Sequence, residues 1–439
     1  MKRFLFGLTV LAALGGCSIL RGHHAPTTPT VGQRISVLGS DAALEPDPTL
    51  ADVPVTVPPP VVNADWPQPG GNAAKAIGHV GLGATPTQAW TVSIGEGDSA
   101  AGRLAAEPMV ADGRVYTIDT MAHVRAFAVD TGALVWEHQV RSEHSARETL
   151  YGGGLAFDGG HLYVVNGYGD VASLDAATGN QVWMVRPGGP LRGSPTVAND
   201  TVWALSQDSQ LYALNATTGE TRWNAAGSFE LAGVFGAAAP AFSQSTLVAG
   251  YASGELNAYR YENGQVVWQD ALARTGISTV VGQLSDVDAD PVIDNGRVFA
   301  IGQGGRMVAV ELITGQRAWE LNAAGLSTPS VAGDWVFVVT DRAQLLAVAR
   351  SSGKIRWISQ LPRWRNEHNH SGPIFWRGPV LAGNRLVLAS SRGEIVFASP
   401  VDGTVQQTIQ HGTPISLPPV VANNTLYILD DAGRLAAFR

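Results

Sequence analysis

Residues 130–136 read Asp-Thr-Gly-Ala-Leu-Val-Trp, "DTGALVW", and the glycine placed four residues before the tryptophan recurs along the chain. The phrases "AATGNQVW" (176–183), "ATTGETRW" (216–223), "YENGQVVW" (261–268), "LITGQRAW" (312–319) and "RSSGKIRW" (350–357) repeat it, giving the pairs Gly132/Trp136, Gly179/Trp183, Gly219/Trp223, Gly264/Trp268, Gly315/Trp319 and Gly353/Trp357. A seventh phrase, "PVDGTVQQ" (400–407), keeps Gly403 but has Gln407 in place of tryptophan. Successive tryptophans lie between 38 residues (Trp319 to Trp357) and 51 residues (Trp268 to Trp319) apart. That is the period of a four-stranded propeller blade rather than of a helix pair.

Within each period two alternating apolar stretches precede the glycine, as in "GRVYTIDTMAHVRAFAVDTG" (113–132). Such alternation predicts strands, and the glycine allows a tight hairpin before the strand that carries the tryptophan. The repeated tryptophans are expected to be structural wedges between blades. Trp90 has Pro86 where the glycine belongs and no strand pair before it, whereas the C-terminal "NNTLYILDDAGRLAAFR" (423–439) supplies two strands and stops. The Trp90 strand is therefore expected to complete the C-terminal blade. This predicts an all-β fold: an eight-bladed β-propeller of four-stranded antiparallel blades over 65–439, closed by its two termini and left without a loose edge.

The composition agrees. Of 439 residues, 51 are glycine, 25 proline and 12 tryptophan, and only 15% are charged, which favours many short strands and turns. A net charge of -8 disfavours nucleic acid, whose backbone requires clustered cations. Lys2 and Arg3 precede an apolar run from Phe4 to Leu14, the pattern of a signal peptide spanning 1–16 and too short for a stable membrane span. Leu14-Gly15-Gly16-Cys17 resembles a bacterial lipobox, which makes Cys17 the acylated first residue of the mature chain. Cys17 is also the one cysteine, so it has no internal disulfide partner. Ser18 stands where inner-membrane lipoproteins commonly carry aspartate, and the resemblance then implies the periplasmic side of the outer membrane. Prolines 26, 29, 46, 48, 54 and 58–60 mark 17–64 as an extended tether expected to resist packing.

The repeat resembles the pyrroloquinoline-quinone type of propeller, a family containing both dehydrogenases and non-enzymatic proteins. The lipobox, "WPQPGGN" (66–72) and "QLSDVDADPVIDNGRVFAIGQGG" (283–305) narrow the resemblance to the BamB family, lipoprotein subunits of the outer-membrane β-barrel assembly machinery. The resemblance implies a non-enzymatic scaffold, lipid-anchored at the periplasmic face of the outer membrane. Such a scaffold binds the periplasmic domains of BamA alongside other subunits of the complex and aids barrel insertion, with unfolded outer-membrane proteins as further possible contacts. It implies no cofactor, no catalytic residue and no metal. In this family a Leu-Arg-Gly segment and a Ser-Asp-Val-Asp segment on neighbouring loops form the BamA-binding surface; here these are Leu191, Arg192 and Gly193, and Ser285, Asp286, Val287 and Asp288. Gly188-Gly189-Pro190 stands where the family often has another hydrophobic residue.

Physically, an exposed leucine beside an arginine suits an interface anchor, and Asp286 and Asp288 either hold Arg192 or attract basic groups of the partner. A purely structural ion pair between the loops is the alternative. The rival functions are a quinone-dependent dehydrogenase and a scaffold for a different envelope partner. Dehydrogenases of this class usually carry a vicinal disulfide and often a haem segment, and this chain, with one cysteine, has neither a disulfide nor a Cys-x-x-Cys-His site. Asp286, Asp288 and Asp290 alternate like the start of a calcium loop, but Pro291 and Arg297 stand where the turn glycine and the bidentate glutamate belong. His368 and His370 stand two apart with no further ligand cluster, which fits a solvated loop better than a metal site. They lie in an unusual basic and aromatic insertion, 362–378, to which the sequence assigns no role.

Overall fold

The computed structural model describes residues 44–439 apart from 101, 142–152, 192, 229–237 and 273–285. The signal peptide at 1–16, Cys17 and the first part of the proline-rich segment lie outside the described residues, as do Arg192 and Ser285.

Eight four-stranded antiparallel sheets follow one another. Blade 1 consists of Met109–Ala111, Arg114–Ile118, His123–Ala128 and Leu134–Gln139, innermost strand first. Blades 2 to 7 begin at Gly153–Asp158, Thr196–Ala198, Ala241–Ser243, Val292–Asp294, Ser330–Ala332 and Trp376–Ala382. Blade 8 joins Val420–Ala422, Thr425–Leu429 and Arg434–Phe438 to Gln88–Ser93 from the N-terminal side, with Trp90 opposite Ala437. The ring is therefore closed as the sequence leads one to expect. Strand alternation places the first-to-second and third-to-fourth turns of every blade on one face, the lower, and the remaining connections on the upper face.

The Gly-x-x-x-Trp phrase connects blades rather than residues within one blade. The Trp183 indole donates to Ala216 O of the next blade at 2.9 Å, and a Cβ built on Gly219 would meet the Trp183 ring at 2.7 Å. Each such glycine thus lets the indole of the preceding blade lie flat against its backbone. The contact repeats from Trp90 with Gly132 to Trp357 with Gly403, seven times in all. Blade 8 has no such turn, because its third strand ends the chain and its fourth comes from the other terminus. A tryptophan at 407 would find no glycine there. Gln407 instead accepts a hydrogen bond from Arg385 at 3.2 Å, and that guanidinium lies 4.6 Å from the centre of the Phe397 ring.

The tether expectation fails for 44–64. Val55 is buried, and Leu50 and Val57 pack against the core shared by blades 6 and 7. The Asp47 amide donates to Ile355 O at 2.7 Å, its carboxylate pairs with Lys354 at 3.1 Å, and Arg356 donates to Val53 O at 2.7 Å. Hydrogen bonds from the Thr49 side chain and amide, followed by Lys354, draw the Asp47 carboxyl down to about 2. The prolines keep this segment extended, but the apolar residues between them give it a side that binds the ring.

Beyond it, 61–82 runs along the lower mouth of the central channel. Trp66 bridges Val110 of blade 1, Phe157 of blade 2 donates to Pro67 O, Gln68 exchanges two hydrogen bonds with Val197 of blade 3, and Phe242 and Ile293 of blades 4 and 5 donate to Ala73 O and Ala74 O. Ala76 then packs against blades 5 and 6, Val80 bridges Ala382 of blade 7, and Asn63 bonds Val421 O of blade 8. The "WPQPGGN" phrase is thus part of a strap bonded to the innermost strands of blades 1 to 5, 7 and 8.

His79 fastens the strap. One ring nitrogen lies 2.6 Å from Pro58 O, where it donates, and the other accepts the Asn384 amide at 2.9 Å, which requires a neutral imidazole. Burial holds its pKa below the ordinary 6.5. A histidine lowered in the folded state binds its proton first in the unfolded chain, so stability should fall as the pH drops below about 6.5. Urea midpoints of the wild type and of His79→Gln across that window check this: the loss attributable to residue 79 should disappear in the variant.

Candidate functional site

Of the sequence-predicted partner-binding residues, Leu191, Asp286 and Asp288 are described, and they lie in the upper-face connections leading into blades 3 and 5. Leu191 is fully buried, which corrects the expectation of an exposed anchor. Its amide donates to Asn166 O of blade 2 at 3.3 Å, Pro190 O accepts the Gln207 amide at 2.8 Å, and its side chain fills the core between blades 2 and 3. Val287 repeats this arrangement: its amide donates to Tyr251 O of blade 4, and Asp286 O accepts the Gln303 amide. Leu191 and Val287 are therefore equivalent wedges, and the residue before the strand is apolar for packing.

The two segments are also not adjacent connections, because the one leading into blade 4 lies between them. Asp286 is buried beneath the surface, while Asp288 is half-buried and lines the central cavity. Burial lowers the pKa of Arg377, and Asp288 and Asp431 work against that shift; Arg377 Nε donates to Ser416 O at 2.8 Å. Whether Arg192 pairs with either aspartate lies outside the described residues.

The cavity of about 520 Å³ lies in the central channel, with Trp66, Lys75 and Glu107 among its lining residues. A buried charge cluster occupies its lower wall. Lys75 donates to Thr196 Oγ1 at 2.9 Å, and the Glu107 carboxylate accepts Trp66 Nε1 at 2.9 Å and the Gly70 amide at 3.1 Å. Asp290 accepts the Ala239 amide at 2.7 Å. Burial pushes Lys75 down to about 8 and Glu107 up to about 7, and raises Asp290; the opposite charges work against these shifts. These groups join the strap to blades 1, 3 and 5. The sequence signal for them was slight: Lys75 is a single cation in the bland run "GGNAAKAIG" (70–78), and Asp290 stood out only as part of a failed calcium pattern.

The model of the family described as outer membrane protein assembly factor BamB matches residues 120–359, from blade 1 through blade 6. The chain belongs to the BamB family. A BamB of Yersinia pestis is 26% identical over 365 residues, covering 81% of this chain and 89% of the relative. The crystal structure of BamB from Moraxella catarrhalis superposes with a TM-score of 0.69 at 18% identity, covering 81% of this chain and all of that one. A quinohemoprotein alcohol dehydrogenase of Comamonas testosteroni reaches a TM-score of 0.65 at 14% identity, covering 85% of this chain and 80% of that one. At such identities the superpositions show a shared propeller and nothing about chemistry. BamB membership makes the chain an outer membrane protein assembly factor by family, and both segments fall inside the matched residues.

Proposed function

We propose that this chain is a non-enzymatic scaffold lipoprotein of the outer-membrane β-barrel assembly complex. Anchored through Cys17 at the periplasmic face of the outer membrane, it binds the periplasmic domains of BamA. The observation that carries this reading is the match of the BamB family model across blades 1 to 6, including the connections that hold Arg192 and Asp288. The burial of Leu191 and Asp286 changes how those connections act: these two residues set the backbone of the upper face, and the contact with a partner is assigned to Arg192 and Asp288. Arginine suits that role because its planar fork pairs with carboxylates while its stem covers apolar surface.

The test is binding of purified BamA periplasmic domains to the wild type and to Arg192→Glu. Affinity should fall by roughly tenfold or more with an unchanged melting temperature, as expected when a central arginine of an interface is reversed. Equal affinity would remove Arg192 from the interface. Asp286→Arg is unsuited to this purpose, since a buried side chain would be exchanged for a larger charged one and folding would change with it.

A further inference from the structure

The insertion at 362–378 forms a two-stranded hairpin, Trp364–Asn366 with Ser371–Pro373, on the upper face between blades 6 and 7. Its base is fixed. Ile374 is buried and its amide donates to Arg363 O at 2.8 Å, Trp376 Nε1 donates to Pro362 O at 2.9 Å, and the Phe375 amide donates to Ser391 Oγ at 2.9 Å. Arg365 donates to Ser391 O at 2.8 Å. An open groove of about 740 Å³ runs beside it, lined by Arg363, Trp364 and Arg365 of the hairpin and by Arg342 and Arg392 from the neighbouring turns of blades 6 and 7.

Four arginines thus line one recess in a chain whose net charge is -8. Elsewhere in the ring Arg125, Arg186, Arg222, Arg317 and Arg350 each make an ion pair with a carboxylate. Among the described residues Arg342, Arg363 and Arg365 make none. Three carboxylates stand against these arginines. Glu367 lines the groove and accepts the amides of Arg363 and Trp364, Glu394 takes Arg392 at 3.5 Å, and Asp341, raised by burial, is drawn back by Arg342 and Arg363. Four arginines against three carboxylates leave the recess with an excess of positive charge on a braced hairpin, which favours an anionic segment there.

We propose that this groove is a docking site for an extended acidic segment of another polypeptide. Guanidinium forks pair bidentately with carboxylates, the Trp364 ring offers an apolar face between them, and the braced hairpin reduces the ordering cost of binding. A lipid surface fits less well, because the tip of the hairpin, Glu367-His368-Asn369-His370, carries no apolar anchor to enter it. The site is separate from the connections into blades 3 and 5.

The test is fluorescence anisotropy of a fluorescein-labelled glutamate-rich peptide, beside its glutamine counterpart, titrated with the unacylated full chain. The glutamate peptide should bind in a salt-sensitive manner and the glutamine peptide should not. Arg363→Glu with Arg365→Glu, and separately Arg342→Glu on a different turn, should each weaken binding by roughly tenfold, whereas Arg192→Glu should leave it unchanged. Equal binding of both peptides, no binding, or indifference to these reversals overturns the proposal. So does arginine-dependent sedimentation with phosphatidylglycerol vesicles in the absence of peptide binding, which would assign the groove to lipid.

Discussion

Lys75→Met should destabilise the ring by roughly 3–5 kcal/mol, the range for removing one partner from a buried set of charges. The substitution preserves most of the side-chain volume but leaves Glu107 and Asp290 facing each other without a cation, and it removes the hydrogen bond to Thr196. Since the strap is bonded to the innermost strands of seven of the eight blades, the effect should appear as a lower midpoint of global unfolding. Glu107→Gln gives the contrast. A glutamine oxygen still accepts from the Trp66 indole and the Gly70 amide, so little should be lost near pH 5. The wild-type carboxyl is raised to about 7, so its contribution to stability is lost as the pH rises from 4.5 through 7. The variant has no such loss and should gain on the wild type across that window. Urea titrations at both ends of the range check both statements, and a Lys75→Met midpoint equal to wild type would show that the cluster does not hold the strap.

Trp223→Ala should cost about 3–5 kcal/mol, as expected for truncating a buried aromatic with partial collapse of the site. Trp223 stacks on the backbone of Gly264 in blade 4 and donates to Tyr261 O at 2.8 Å, so its loss opens the seam between blades 3 and 4. Gln407→Trp, which restores the repeat to consensus, should bring no comparable gain. Blade 8 offers no glycine turn for the indole to cover, and the substitution would displace Gln407 from Arg385. Thermal melts of the two variants beside wild type measure this. A strongly stabilising Gln407→Trp would mean that the tryptophan acts within its own blade rather than across the seam.

These cases show where the sequence was legible. A glycine four residues before a tryptophan, repeated six times with a seventh phrase that keeps only the glycine, records a local hairpin and a wedge, and both are properties of a short stretch. Closure by Trp90 was legible too, because the first unit lacks what the last unit leaves over. The meaning of Gln407 was not, since its explanation lies in a turn that another blade lacks. The proline-rich segment was misread over 44–64 because extended chain looks the same whether it is solvated or laid along a ring, and only the positions of Leu50, Val55 and Val57 relative to blades 6 and 7 decide between them. Leu191 was misread for a related reason. A leucine before an arginine fits an exposed anchor, but the equivalence of Leu191 with Val287 appears only once the repeat is superposed in three dimensions. Buried charges such as Lys75 and Glu107, 32 positions apart (107 minus 75), leave no joint signal in one sequence.

The propeller shared by the BamB structure and the quinohemoprotein dehydrogenase makes the identity of co-purifying partners, rather than fold, the deciding observation. The most direct measurement is a pull-down of the tagged chain from detergent-solubilised native membranes, with the co-purifying proteins identified by mass. The scaffold reading predicts recovery of a large outer-membrane barrel protein with periplasmic domains, and its loss with Arg192→Glu. Failure to recover such a barrel from membranes that contain it, or recovery of a quinone- or haem-linked redox partner in its place, would contradict that reading.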